Sequence, residues 1–440
     1  MTHALELHEI RSAIGDYLDT KDLLNCACVS KEWYSTFNDA FWHHITLGTP
    51  NFSDSPDSPE SPLLLNIEQI QLHSNHIQSM VFNKQLPKEY YEDVKLSRLF
   101  SLEIDFNISR SYPIPNLLGT LIERHSSSLK RFKFTGWNTI VSAHTMEAIG
   151  KCQGLASLWL SDSILYSEGV RTLLVACANI GKVAGGESEG KTGSFCWRDV
   201  FSRENFLIDQ WAKHVESGAW PHLTCLDVQD EEFHDEGLSC VFRNLQSPLE
   251  KLMVRETGFG PMAFEVLITT KRHYCHIREL DISQCKDTTS SMIQKIMTKM
   301  PALVYFSANR LFATDILGTS REDQNGDGDG QKWVCKNLRT LKLCIDMGIA
   351  SDPNTLEYEE RQRQVYSRLS ELEFLETLEV GNLLSLKETE VQRLDSRPNA
   401  GLGQLLSLKR LKGISSKRGH SLDLKDIELM IAKKTEDPER

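Results

Sequence analysis

One short stretch carries the residue types of two catalytic motifs at once. Gly185-Gly-Glu-Ser-Glu-Gly190-Lys191-Thr192 has the spacing of a phosphate loop, and Gly186-Glu-Ser188-Glu-Gly190 within it has that of a nucleophile elbow. A phosphate loop aims backbone N–H groups and a helix N-terminus at phosphate, directly after a buried strand. Here the preceding Ile180-Gly-Lys-Val-Ala is short and polar, and Glu187 and Glu189 would set negative charge beside the phosphates. Ser188 has no identifiable His or Asp partner to activate it. The stretch reads as a loop between structural units, and no enzyme is expected.

Two other clusters invite a metal. From Asp323, the residues Asp323, Asn325, Asp327 and Gly328 fill the early positions of a calcium loop, but Val334 stands where a bidentate Glu is required. His273, Cys275 and His276 include ligand types, yet alternate residues of a strand point opposite ways and no second ligand pair follows. Neither a metal nor a cofactor is expected. Ser55, Ser58 and Ser61 are Ser-Pro steps within a segment, Thr49 to Pro62, whose Pro, Ser and acidic content reads as a solvated linker.

The elements around these stretches are more informative. The N-terminal residues run Leu7-His8-Glu9-Ile10, Ile14, Leu18, Asp22-Leu23-Leu24, Val29, Lys31, Trp33 and Phe41-Trp42. Ile14 and Leu18 lie one helical turn apart, Asp22 is placed to cap a second short helix, and Trp33 and Trp42 close a small core. This spacing resembles an F-box, with His8 where the pattern has Pro and Ser30 where it often has Cys. The resemblance implies a Skp-type adaptor-binding module whose residues are Leu7, Ile10, Ile14, Leu18, Leu23, Leu24, Val29, Trp33 and Trp42. Sequence alone does not divide these between adaptor and helix core.

Beyond the linker, Leu-x-x-Leu-x-Leu recurs. It begins at Leu99, Leu129, Leu155, Ile180, Leu223, Leu249, Ile277, Leu303, Leu338, Leu375 and, degenerately, Leu408, with starts 25 to 43 residues apart and Ile77-x-x-Met80-x-Phe82 as a candidate first turn. Each Leu-x-Leu puts two apolar side chains on one strand face, and amphipathic stretches such as Met292–Met297 can cover it. Stacked in parallel, such units share a core that none could form alone. The expected fold is α/β: a small helical F-box at 1–48, a linker at 49–65 and an irregular leucine-rich-repeat solenoid at 66–420. Insertions are expected near 186–210 and 313–333, and a capping helix and tail at 421–440.

Composition narrows the function. The eleven cysteines are scattered without a Cys-x-x-Cys, which suits reduced thiols in cytoplasm or nucleus. No apolar run approaches a membrane span, and a net charge of −12 disfavours nucleic acid as the main ligand.

Residues between the apolar positions face outward from the strands and offer a binding surface. Among them Arg131, Lys133, Trp159 and Lys182 occupy equivalent positions of consecutive repeats, with Lys251 and Arg255 further along. The first four are expected to form a patch ~10 Å across, because parallel strands lie about 5 Å apart. Whether Trp159 anchors a partner or packs under residues 187–206 is open at this point.

Together these features resemble an F-box leucine-rich-repeat protein. The resemblance implies a substrate receptor of a cullin–RING ubiquitin ligase, reaching cullin and RING protein through the Skp-type adaptor and holding a protein substrate on the solenoid. A leucine-rich-repeat scaffold without ligase duty is the alternative.

Overall fold

In the computed structural model the described residues are 8–47 apart from 16 and 19, 65–83, 87–106, 117–165, 193–198, 201–202, 207–317 apart from 219, 332–346, 356–380, 404–415 apart from 406, and 421–423. The chain divides into two compact units, Met1–Leu223 and Thr224–Arg440.

The first unit opens with three helices, α1 (His8–Gly15), α2 (Thr20–Ala27) and α3 (Lys31–His43). Ser30, the residue that replaces a frequent Cys, caps α3: its hydroxyl accepts the Trp33 N–H at 3.2 Å. Asp22 is not the cap of α2, contrary to the sequence reading. The helix begins at Thr20 and Asp22 sits in its first turn, where its charge meets the positive end of the helix dipole. Where the F-box pattern has Pro, His8 instead places Nδ1 3.0 Å from the Thr36 hydroxyl, and Arg11 Nε donates to the same oxygen at 3.3 Å. These bonds tie α1 to α3 without a proline. Gly15 lets the two helices come close, since a Cβ there would stand 3.0 Å from that of Ala40.

Strand β1 (His44–Leu47) follows α3 at once, and α4 (Ile67–Leu72) leads to β2 (Ser79–Phe82). β1 and β2 pair in parallel, from His44 opposite Ser79 to Leu47 opposite Phe82. The sheet therefore starts inside the segment read as the helical module, because Ile45 and Leu47 alternate inward, 3% and 2% exposed. Next come α5 (Lys88–Glu92), β3 (Ser101–Phe106), α6 (Leu117–Arg124), β4 (Arg131–Ile140), α7 (Ala143–Gly150) and β5 (Ser157–Leu165), each strand parallel to the last.

The segment near 186–210, read as an insertion, supplies a strand. β6 (Gly193–Arg198) pairs in parallel with β5, and the short β7 (Phe201–Ser202) pairs with the end of β5. An aromatic side chain does the work of the missing leucines: Phe195 lies 4.8 Å from Trp220 and 5.7 Å from Trp211, ring centre to ring centre. The repeat expected at Ile180-x-x-Val183 lies outside the described residues.

In the second unit, β8 (Leu223–Gln229), β9 (Lys251–Met253), β10 (Glu279–Asp281), β11 (Tyr305–Phe312), β12 (Thr340–Asp346), β13 (Thr377–Val380) and β14 (Gly413–Ser415) form a parallel series. The strand leucines Leu252, Leu280, Leu341 and Leu378 are fully buried, each contributing roughly 1.5–3 kcal/mol by leaving water. Helices Asp235–Asn244, Pro261–Thr269 and Ser290–Lys299 follow successive strands and bury Leu238, Leu267 and Ile293. Asp235 joins neighbouring repeats, accepting the N–H groups of Gly260, Met262 and Ala263 at 2.7 to 3.0 Å and so capping the helix of the next repeat.

Two expectations change here. The insertion expected near 313–333 does not start at 313. Leu311 is buried in β11, and the helix Ala313–Ile316 buries Ala313 and Ile316. The C-terminal helix expected from 421 opens instead as β15 (Ser421–Asp423), antiparallel to β14 with Leu422 opposite Ile414. The edge of β14 offered unpaired backbone groups, and pairing satisfies them. The remaining residues assigned to that helix lie outside the described ones.

Candidate docking surfaces

The three-helix module sorts its own residues. Leu23 and Trp42 are buried, Ile14, Leu18 and Trp33 are half-buried, and Leu24, Val29 and Ile10 are 49%, 63% and 37% exposed. Leu7 lies outside the described residues. Trp33 leans on the buried Phe37 at 5.3 Å, which makes it part of the core wall. Two further exposed aromatics, Tyr17 and Tyr34, escaped the sequence reading. An apolar residue off the helical stripe was the available signal, since α3 buries Thr36, Phe37 and Trp42 and leaves Tyr34 in solvent.

Trp42 belongs to a joint instead. Its ring stacks on His73 at 3.9 Å with an interplanar angle of 9°, which links α3 to the cap of α4. Burial, and then the neighbouring His76, push the His73 imidazole down from its ordinary pKa. His76 in turn lies 3.0 Å from Asp39 of α3.

On the solvent face of the strands, charge is arranged in pairs. Lys133 donates to Glu103 at 2.6 Å from directly across β3 and β4, and its Nζ lies 5.8 Å from the centre of the half-buried Trp159 ring. Arg131 stands over Phe100 at 5.0 Å, and Lys182 lies outside the described residues. The same pairing recurs in the second unit. Lys251 meets Glu279 at 2.6 Å, Arg255 meets Asp281 at 3.7 Å, and Lys342 meets Glu379 at 3.6 Å. Burial lowers the Lys251 pKa, but the bond and charge of Glu279 outweigh it and the ammonium is held above its ordinary range. The structure therefore brings Lys133 to Trp159 as expected, but with a carboxylate attached. Glutamates at the same register of a neighbouring strand, the preceding one for Lys133 and the following one for Lys251, meet the charge of these lysines.

The stretches singled out for chemistry divide similarly. Gly185–Thr192 and Asp323–Gly330 lie outside the described residues. His273 is fully buried, its Nε2 2.9 Å from the Phe242 carbonyl and its Nδ1 3.4 Å from the Leu249 N–H. A carbonyl only accepts, so Nε2 carries the proton and both ring nitrogens serve the backbone.

Residues 8–48 match the F-box-like family. That is the segment whose apolar side chains are left in solvent. No curated protein matches the chain. Among solved structures it is similar to an internalin from Listeria monocytogenes, at 12% identity and a TM-score of 0.39, over 80% of this chain and 89% of that one. Among the described residues no helix is long and apolar enough to cross a membrane.

Proposed function

We propose that this protein is a non-catalytic substrate receptor of a cullin–RING ubiquitin ligase, acting in cytoplasm or nucleus. The F-box-like module docks on a Skp-type adaptor, which brings cullin and RING protein, while the repeats hold a protein substrate. Proximity is then its contribution: it raises the local concentration of substrate lysines near a ubiquitin-charged enzyme.

The observation that carries this reading is the exposure of Ile10, Leu24, Val29 and Tyr34, within the segment that matches the F-box-like family. Apolar side chains gathered on one small module favour association, because covering them removes apolar area from water. Val29, at 63% exposure, can be changed without entering the helix core.

The test is affinity capture from a eukaryotic lysate with wild-type and Val29→Asp chains, read by mass spectrometry. Wild-type protein should recover a Skp-type adaptor and a cullin. The variant should lose both, since a partner would have to bury an unpaired carboxylate. Recovery of neither by wild-type protein would overturn the proposal.

A further inference from the structure

In the second unit, one side chain per repeat sits just before each strand, at the second position of Leu-x-x-Leu. These are Glu250, Arg278, Val304, Arg339 and Glu376, an order of acid, base, apolar, base and acid. A backbone ladder fixes their spacing. The Arg278 N–H donates to the Glu250 carbonyl at 2.7 Å, Val304 to Arg278 at 2.7 Å, Arg339 to Val304 at 2.8 Å and Glu376 to Arg339 at 2.8 Å. Successive members stand about 5 Å apart, as neighbouring strands do. Over the first four opens a cavity of about 500 Å³, with Ala302 and Phe374 in its apolar wall. The Arg410 guanidinium covers the Phe374 ring at 4.6 Å.

Charge is unevenly spent here. Glu376 is met by Lys412 at 3.0 Å and by Arg339 at 3.6 Å. Glu250 and Arg278 line the cavity, and neither side chain makes an ion pair or hydrogen bond among the described residues. This contrasts with the sheet face, where Lys133, Lys251 and Lys342 each have a carboxylate across the strand.

We propose that this cavity binds an extended segment of a partner protein, with an acidic side chain on Arg278, a basic one on Glu250 and an apolar one on Phe374. The Arg278 guanidinium, unlike that of Arg339, meets no carboxylate among the described residues, and its fork suits one. A run of acids, or a nucleic acid backbone, would meet the carboxylate of Glu250 at one end of the cavity. A wholly apolar ligand would cover Glu250 and Arg278 without partners, which is costly. The volume suits a few side chains rather than a domain. This inference rests on the reading that the repeats hold a protein, and it does not depend on the adaptor module.

The test is selection of a synthetic random nonapeptide library, including phosphoserine, on immobilised full-length protein. Wild-type protein should enrich peptides carrying both an acid and a base beside an apolar residue. Arg278→Glu should weaken binding of an enriched peptide at least tenfold, and the exchange Glu250→Arg with Arg278→Glu should select the opposite charge order. Unchanged melting temperatures would show these exposed changes leave the fold intact. No enrichment, enrichment of acid-only or phosphoserine peptides, or binding indifferent to Arg278→Glu would overturn the proposal. Adaptor capture by the same chains separates the two readings. Lost adaptor with retained peptide sinks only the ligase proposal, and lost peptide selection with retained adaptor sinks only the cavity.

Discussion

In the three helices and their turns, five large apolar side chains, Ile10, Tyr17, Leu24, Val29 and Tyr34, are 37–91% exposed. In the strands of the second unit, Leu226, Leu252, Leu280, Leu341 and Leu378 are wholly buried, and polar or charged residues fill much of the solvent face. The module thus keeps apolar area in water while the repeats spend it on their own core. Such a contrast separates apolar residues kept for a partner from apolar residues kept for folding. Changing one residue of each kind should therefore give opposite results.

The largest effect should come from the repeats. Leu280→Ala removes a fully buried side chain from β10, between β9 and β11, and leaves a cavity. A loss of about 2–5 kcal/mol is expected, read as an earlier urea midpoint. A loss below about 1 kcal/mol would show that the second unit is loosely packed at its centre, and the contrast would fail there.

Acid should act next, through the core again. Burial pushes the His273 imidazole down to about 4, with the Phe242 carbonyl opposing that shift and nearby Arg272 and His276 adding to it. A histidine whose folded pKa is depressed below the unfolded value near 6.5 favours the unfolded state as protons bind it there first. Its stability contribution is therefore complete above pH 6.5 and is lost as pH falls toward 4. The loss should approach about 3 kcal/mol, because one pKa unit is worth about 1.4 kcal/mol. Protonation at Nδ1 would also turn that nitrogen from acceptor to donor against the Leu249 N–H. Chemical denaturation from pH 7.5 to 4.5 should show the decline, and His273→Gln should flatten it.

Much of this was legible in the chain, and the misses have physical reasons. Leu-x-x-Leu-x-Leu located β3, β4, β5 and most strands of the second unit, because buried parallel strands need apolar residues at fixed offsets. β6 was missed because Phe195, beside Trp211 and Trp220, replaces the leucines. β1 was missed because its four residues, His44–Leu47, follow the F-box-like helices without a break. On the surface, reading the strand residues one repeat at a time did not show which carboxylates meet Lys133 and Lys251. Those partners, Glu103 and Glu279, lie one repeat away and show only in register. The same habit passed over Glu250 and Arg278, which precede the strand and stand in no outward Leu-x-Leu position.

A smaller loss is expected at the joint between repeats. Asp235→Ala takes the acceptor from three N–H groups at the start of Pro261–Thr269, a helix whose own N-cap, Gly260, has no side chain to offer. Met262 is exposed and its N–H can recover water, while Gly260 and Ala263 are buried, so the cost should be about 2 kcal/mol by urea unfolding. Asp235→Asn should restore part of it. A cost near zero would mean that Gly260 and Pro261 hold the helix start unaided.

The smallest change in stability should come from the module, although the substitution resembles the first. Val29→Ser also removes apolar atoms, but from a side chain 63% exposed in the turn between α2 and α3. The folded state gains little from a methyl group that water still reaches, so there is almost no transfer free energy to lose and no cavity to open. Val29 N–H bonds to the Cys26 carbonyl at 3.1 Å, and that backbone bond survives the change. Serine is also well suited to a turn. The expected shift is within about 0.5 kcal/mol in either direction, measured by the same urea titration as Leu280→Ala. A loss above 1 kcal/mol would place Val29 among the residues that hold the helices together. The exposed apolar residues of the module would then lose their claim to be kept for a partner.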